Sequence, residues 1–128
     1  MDFWWLQQAD VSAWIALLAA LFIGHALADY ALQTEFMARA KSRHYCPPPG
    51  SRPADTPPTL WVYVLSAHCA LHAGVVWALT ACGWLGLAEF ILHWIIDWQR
   101  AEGRLSFHAD QLSHLACKAA YVAAIALS

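Results

Sequence analysis

The sequence predicts an all-α fold: a polytopic membrane protein whose four transmembrane helices form an up-and-down bundle. Of its 128 residues, 60% are hydrophobic and 12% are charged, whereas a soluble domain usually carries about 25% charged residues. The apolar residues come in stretches long enough to cross a bilayer. The few polar residues inside these stretches recur at helical spacing. These observations indicate that lipid is the solvent of most of the chain.

The elements follow one another along a single domain, 1–128. The first helix is predicted at about 11–41, with Asp10 as its N-cap. A polar loop follows over 42–58, because proline at the density found there cannot continue a helix. The three remaining helices are predicted at about 60–82, 84–100 and 107–128. Their short connections make neighbouring helices antiparallel.

Basic residues predict the orientation in the membrane. Arginine and lysine lie in or beside 42–58 and 101–106, and loops rich in these residues face the cytoplasm. We therefore expect a protein of an inner (cytoplasmic) membrane, with both loops cytoplasmic and both termini outside. The N-terminal sequence MDFWWLQQAD lacks the basic region and cleavage site of a signal peptide. Eight tryptophans are expected to form the aromatic belts: Trp4, Trp5, Trp14, Trp77 and Trp84 outside, Trp61, Trp94 and Trp98 inside.

Each predicted helix carries one pair of potential metal ligands four residues apart. The pairs are His25 and Asp29, His68 and His72, His93 and Asp97, and Asp110 and His114. This spacing puts both side chains of a pair on one helix face, about 6 Å apart along the axis. The predicted topology brings all four pairs to the cytoplasmic half of the bundle. Eight ligands at one level would suit one or two metal ions.

A divalent metal would also explain why carboxylates occur inside a membrane. A centrally placed Asp costs about 2.5–3.5 kcal/mol on insertion scales. A divalent cation binds neutral imidazole together with ionised carboxylate, so no net negative charge need remain in lipid. Zinc is the metal we expect first, and manganese or iron would also suit these ligands. A metal-free proton relay or hydrogen-bonded core is the alternative.

Two further positions are predicted to support the ligands. On antiparallel helices Glu89 and Lys118 fall in the same layer, one turn beyond His93 and His114, which predicts an ion pair. Glu89 could be structural, or it could be the catalytic general base that activates a metal-bound water. Gln33 and Gln111 could hydrogen-bond ligands or substrate.

Four segments carry a resemblance to a known family: HALADYALQ (25–33), HCALH (68–72), HWIIDWQR (93–100) and FHADQLSH (107–114). They resemble the small bacterial and phage membrane proteins catalogued as domain of unknown function 3307. More loosely, the His-x-x-x-Asp pairs are similar to those of small membrane-bound metal-dependent hydrolases. The first resemblance implies no activity, and the second implies a metal and suggests hydrolysis.

Two functions from different classes follow. The first is a metal-dependent hydrolase that acts on an ester or phosphoester, which could be a lipid, at the cytoplasmic leaflet. The second is a non-enzymatic membrane protein, with a structural metal or a proton relay, that binds or modulates another membrane protein. Membrane lipids are expected partners, and a homo-oligomer or a membrane protein could be another. The chain has no basic run, so we expect no nucleic-acid partner.

Overall fold

The computed structural model describes residues 10–128, and within them it contains helices and no strand. The all-α prediction is therefore confirmed for this part of the chain. Trp4 and Trp5, which the sequence assigns to the outer aromatic belt, lie outside the described residues. The helices are α1 (Val11–Ala26), which continues into a π-helical turn (Leu27–Ala31), α2 (Glu35–Ala40), α3 (Leu60–Thr80), α4 (Gly83–Ala101) and α5 (Phe107–Ala126).

The four long helices form a closed ring. In order around it, α1 contacts α3, α3 contacts α4, α4 contacts α5, and α5 contacts α1. The diagonal pairs, α1 with α4 and α3 with α5, do not approach within backbone contact distance. Side chains that point inward from all four helices therefore meet along one central axis.

The first predicted helix, 11–41, is not continuous in the structure. It passes into the π-helical turn at Leu27, leaves helical structure at 32–34, and resumes as the short α2. Two side chains stabilise this break. The Gln33 amide donates to the Asp29 carbonyl (3.2 Å), and the Thr34 hydroxyl caps α2 by accepting from the Met37 amide (3.1 Å). Lys41, which would otherwise project along α1, is thereby turned back toward the bundle.

A tight turn at 81–82 holds α3 close against α4. Ala81 adopts a left-handed conformation (φ 54°), and the Thr80 hydroxyl accepts from the Cys82 amide (3.2 Å). Gly86 packs closely against α3, where an added Cβ would lie 3.1 Å from the Ala73 carbonyl oxygen and 3.0 Å from the Trp77 Cβ. The absence of a side chain at Gly86 thus permits the close spacing of this helix pair.

The half of the bundle nearest this turn is apolar inside. Leu21, Val76, Tyr121 and Val122 form its buried core. Two stretches, Val11–Ala31 and Leu60–Thr80, are by length and composition able to cross a membrane, with mean hydropathies of 2.0 and 1.6.

Candidate metal centre

All four predicted ligand pairs point into the ring of helices and meet in its other half. Asp29 is 12% exposed, and the other seven side chains are buried. The pairs come from four different helices, so no single segment could build this cluster alone. We call these eight side chains the ligand cluster: His25, Asp29, His68, His72, His93, Asp97, Asp110 and His114.

The π-helical turn determines where Asp29 lies. This turn contains one residue more than a turn of α-helix, and a hydrogen bond from the Leu32 amide to the Leu27 carbonyl closes it (2.9 Å). Such turns rotate the following side chains relative to an α-helix and occur often at functional sites. The Asp29 carboxylate consequently contacts α3 as well as its own helix.

The first group of ligand atoms surrounds the Asp29 carboxylate. Oδ1 lies 3.0 Å from His72 Nε2 and 3.4 Å from His68 Nε2. The other oxygen, Oδ2, lies 3.3 Å from His25 Nε2. The other ring nitrogens of two of these histidines, His25 Nδ1 and His72 Nδ1, lie 3.3 Å apart. One carboxylate therefore connects three imidazoles from two helices.

The second group surrounds the Asp97 carboxylate. Oδ1 lies 3.1 Å from His114 Nε2 and 3.5 Å from His93 Nε2. Oδ2 lies 3.4 Å from His68 Nε2, so Asp97 joins the two groups. Asp110 Oδ1 approaches His114 Nε2 to 3.6 Å.

The separations between carboxylate and imidazole atoms suit a small divalent cation. Four ligand atoms arranged tetrahedrally at 2.0–2.1 Å from zinc lie about 3.3 Å apart, and the carboxylate–imidazole distances in the two groups are 3.0–3.6 Å. Three sets of ligand atoms lie mutually within 4.8 Å and could each hold an ion: Asp29, His68, His72 and His93; His93, Asp97 and His114; and His25, His72, Glu89 and His93. All three sets use His93, so a second ion would need another ligand in its place, from His25 or Asp110.

Three buried atoms of the ligand cluster have no hydrogen-bond partner among the described residues: His25 Nε2, His68 Nδ1 and Asp110 Oδ1. His25 Nε2 lies 3.3 Å from Asp29 Oδ2, and Asp110 Oδ1 lies 3.6 Å from His114 Nε2, but neither contact has the geometry of a hydrogen bond. Buried polar atoms are almost always satisfied in folded proteins. A cation shared with these neighbouring ligand atoms would satisfy His25 Nε2 and Asp110 Oδ1.

The predicted ion pair between Glu89 and Lys118 is confirmed, with Lys118 Nζ 2.5 Å from Glu89 Oε1. Both side chains are 1% exposed. The same oxygen lies 3.0 Å from His93 Nδ1, and the Tyr121 hydroxyl donates to Oε2 (2.9 Å). A carboxylate on the far nitrogen of a ligand histidine orients that ring. These contacts support a positioning role, and the general-base role of Glu89 stays a prediction.

Lys41 is a member of the site that the sequence pattern did not indicate. Its Nζ lies 2.7 Å from Asp97 Oδ2. In the sequence Lys41 ends the predicted first helix and served only to predict the orientation in the membrane. Its contact with Asp97 could not be predicted, because it depends on the break at 32–34. The expected supporting glutamines do lie beside ligands: Gln33 bonds the Asp29 backbone, and Gln111 Nε2 donates to Asp110 Oδ2 (3.1 Å).

The two remaining histidines lie outside the ligand cluster, as the sequence pattern predicts. His44 Nε2 is 3.3 Å from a Glu102 oxygen in the loop region. His108 is exposed and packs against the Phe107 ring.

A cavity of about 560 Å³ opens beside the ligand cluster. Three ligand carboxylates, Asp29, Asp97 and Asp110, form part of its wall. Lys41 and Arg100 supply the positive charges of the same wall. We call it the carboxylate cavity.

A second cavity of about 620 Å³ lies under the proline-rich loop and includes Arg43 and Arg52 in its wall. The residues described around this second cavity include no histidine and no carboxylate.

No curated protein and no solved structure matches the chain. A family model described as "Protein of unknown function (DUF3307)" matches residues 17–128. The matched range contains all eight side chains of the ligand cluster together with Glu89, Lys118 and Lys41. The resemblance found in the sequence is thus confirmed, and the chain belongs to the DUF3307 family.

Proposed function

We propose that this protein is a four-span membrane protein that holds one or two divalent metal ions, zinc first, and hydrolyses an ester or phosphoester at the cytoplasmic leaflet. The observation that carries this proposal is the ligand cluster with a cavity beside it. Histidine nitrogens and carboxylate oxygens lie 3.0–3.4 Å from one another, as two ligands of one metal ion can. All three carboxylates of the ligand cluster also line a space large enough for part of a substrate.

The distribution of polar residues on α4 supports four spans rather than two. Its buried side chains are Glu89, His93 and Asp97, whereas Leu87 and Ile91 are 48% and 49% exposed. A helix with polar residues inside and apolar residues outside has lipid as its natural surroundings. The buried ligands lower the mean hydropathy of such a helix without touching lipid.

The helix α5 repeats this arrangement. Asp110, His114 and Lys118 are buried, and Leu112 is 65% exposed. With α1 and α3 spanning, α4 and α5 in the same ring would span too. The basic residues near 42–58 and 101–106 then favour a cytoplasmic position for both loops and for the ligand cluster's open side.

A divalent cation bound here would lower the pKa of a water molecule and polarise an ester oxygen. The residues of the chain have separate tasks. Histidines and aspartates would hold the cation, Glu89 orients His93 through Nδ1, and Lys118 and Tyr121 fix the position of the Glu89 carboxyl group. The apolar half of the bundle closes the other end of the site to water.

The number of ligands favours a second candidate, a closed structural site. Catalytic zinc sites commonly have three protein ligands and an open position, and structural sites have four. With His25 and Asp110 included, the ligand cluster offers enough atoms to close two sites. The protein would then be a non-enzymatic membrane protein that the metal holds together.

Cobalt(II) in place of the native metal distinguishes the two candidates. The hydrolase proposal predicts that azide, which occupies an open coordination position, shifts the visible spectrum of the cobalt protein. It also predicts turnover of a chromogenic ester or phosphoester that stops with a chelator and returns with zinc. The His108→Ala protein is the matched control, since His108 lies outside the ligand cluster. A spectrum insensitive to azide, with no turnover, would leave the structural candidate.

A further inference from the structure

We propose that the carboxylate cavity binds the phosphoryl group of the substrate, so that the substrate is a phosphate ester rather than a carboxylic ester. This proposal rests on the hydrolase function proposed above and narrows its substrate class. It is carried by the two cationic side chains that share the cavity wall with the metal-ligand carboxylates.

The two cations come from different elements and converge on one space. Lys41 follows α2, and its Nζ lies 2.7 Å from Asp97 Oδ2. Arg100 lies in the last turn of α4, and within the described residues its guanidinium donates one hydrogen bond, to the Leu105 carbonyl (3.1 Å). Most of its donors are therefore free for a ligand. A planar guanidinium with free donors matches the oxygens of a phosphate.

Charge in and around the cavity also favours an anion once a metal is bound. The four carboxylates are Asp29, Glu89, Asp97 and Asp110, and the three cationic side chains are Lys41, Arg100 and Lys118. With neutral histidines their charges sum to −1, so one divalent ion makes the site +1. The ester group of a carboxylic ester is uncharged, so this field does not attract it in the ground state. A phosphate ester carries its charge into the place where the two cations lie.

The rim of the cavity has a different character. Tyr30 and Phe107 are 68% and 52% exposed, and both line the opening. Aromatic rings at this level are typical of a membrane boundary. The organic part of the phosphate ester could therefore be apolar and enter from the lipid.

The reaction is a hydrolysis whose atoms balance without a further reactant. The oxygen of water forms a bond to phosphorus, the ester P–O bond breaks, and the departing oxygen takes a proton that the water gives up. The products are an alcohol and inorganic phosphate from a monoester, or an alcohol and a monoester from a diester. Lys41 and Arg100 would neutralise the phosphoryl oxygens throughout.

The test is binding of inorganic phosphate, measured by calorimetric titration of the detergent-purified protein with and without bound zinc. We expect phosphate to bind the zinc-loaded protein more tightly than butyrate, the carboxylate comparison. Arg100→Gln and Lys41→Met should each weaken phosphate binding at least about tenfold, because each removes a charge-assisted hydrogen bond. Zinc content, measured on the same samples, should be unchanged in Arg100→Gln.

Each variant has a matched control of the same charge. Arg104→Gln, in the turn after α4, alters an exposed arginine that bonds Gln99. Arg39→Gln, two residues from Lys41, alters an arginine paired with Glu35 on the surface. Neither residue lines the carboxylate cavity, so both controls should bind phosphate like the wild type.

The outcomes separate this proposal from the one on which it rests. If the protein takes up zinc but binds butyrate as tightly as phosphate, the phosphoryl site is overturned and the metal site remains. The same conclusion follows if Arg100→Gln binds phosphate as tightly as its control, Arg104→Gln. Phosphate binding that depends on Arg100 and Lys41 in a protein unable to bind zinc overturns the hydrolase and leaves the anion site. Absence of both zinc and phosphate binding overturns both.

A second ligand identifies the source of the phosphoryl group. Dihexanoyl phosphatidic acid, a short-chain lipid with a phosphate monoester headgroup, is titrated under the same conditions. Tighter binding than inorganic phosphate supports a lipid substrate, and equal or weaker binding supports a soluble phosphate ester. Either result, if it depends on Arg100, supports the phosphoryl assignment.

Discussion

The two halves of the bundle use the same four helices in opposite ways. Toward the α3–α4 turn, Leu21, Val76 and Tyr121 pack as an apolar core. Toward the loops, the same helix faces present the ligand cluster, and the Glu89–Lys118 pair lies at the boundary between the halves. A helix thus changes from apolar to ionisable inside the bundle within two turns, while its outer face stays apolar.

The difference teaches which half depends on partners. An apolar residue in the first half contributes close packing, and the cost of its loss increases with the volume of the cavity that remains. A charged residue in the second half contributes by satisfying another charge, so its loss leaves that charge buried and unpaired. Substitutions in the two halves should therefore differ in magnitude and in their effect on metal binding.

The largest loss of stability is expected from Lys118→Met. It leaves Glu89 buried, with its Oε1 contact to Lys118 Nζ removed, and breaking a buried pair typically costs about 3–5 kcal/mol. Equilibrium unfolding in mixed micelles measures this free energy. The double variant Glu89→Gln, Lys118→Met removes both charges and should recover much of the stability, and a double variant no more stable than Lys118→Met would contradict this account.

A smaller loss is expected from Leu21→Ala in the apolar half. Leu21 is fully buried, and Leu→Ala in a core costs about 2–5 kcal/mol. For the proposed membrane-spanning bundle the lower end, about 2 kcal/mol, should apply, because lipid would replace water as the reference solvent. Zinc content should stay at the wild-type level, since Leu21 packs in the apolar cluster with Val76 and Val122 and offers no ligand atom. Loss of zinc together with stability would show that the halves are not separable.

Gly86→Ala should act on the spacing of α3 and α4. The new Cβ would meet the Ala73 carbonyl oxygen at 3.1 Å, a backbone atom that cannot rotate away. We expect about 1 kcal/mol of destabilisation, at the low end for overpacking. Gly74→Ala is the control, because no atom lies within 4 Å of a Cβ added there. Equal unfolding free energies for the two variants would argue against close packing at Gly86.

The smallest effect is expected at the loop contact. The Arg43 guanidinium, 2.6 Å from a Glu102 oxygen, lowers the pKa of the Glu102 carboxyl below its ordinary value. Because the folded-state pKa is the lower one, the contact stabilises the protein above the ordinary Glu pKa of about 4.3 and is lost as pH falls through the lowered value. The thermal midpoints of wild type and Glu102→Gln should differ slightly at pH 7 and converge in acid. A difference that grows in acid would contradict this sign.

Much of the site could be predicted because helical periodicity is a local property. The spacing of four residues was enough to predict the four ligand pairs, from His25/Asp29 to Asp110/His114. The antiparallel register of two neighbouring helices was enough to predict the Glu89–Lys118 ion pair. The ends of α3, α4 and α5 lie within two residues of their predicted positions.

The remaining parts depend on tertiary contacts. The π-helical turn at Leu27–Ala31 and the break after it are stabilised by Gln33 and Thr34, and helical propensity alone does not indicate either. Lys41 reaches Asp97 only because of that break. The hydrogen bond from the Tyr121 hydroxyl to Glu89 was not predicted, because Tyr121 lies in an apolar stretch of sequence. The carboxylate cavity likewise arises between elements distant in sequence.

The central claim is that the ligand cluster binds metal, and elemental analysis of the detergent-purified protein tests it most directly. Wild type is compared with the His93→Ala, Asp97→Ala double variant and with His108→Ala, which changes an exposed histidine outside the cluster. We predict at least one equivalent of zinc or another transition metal in wild type and in His108→Ala, and its loss in the double variant. A stable wild type that contains no metal and takes up none on addition would contradict the account and leave a metal-free polar core.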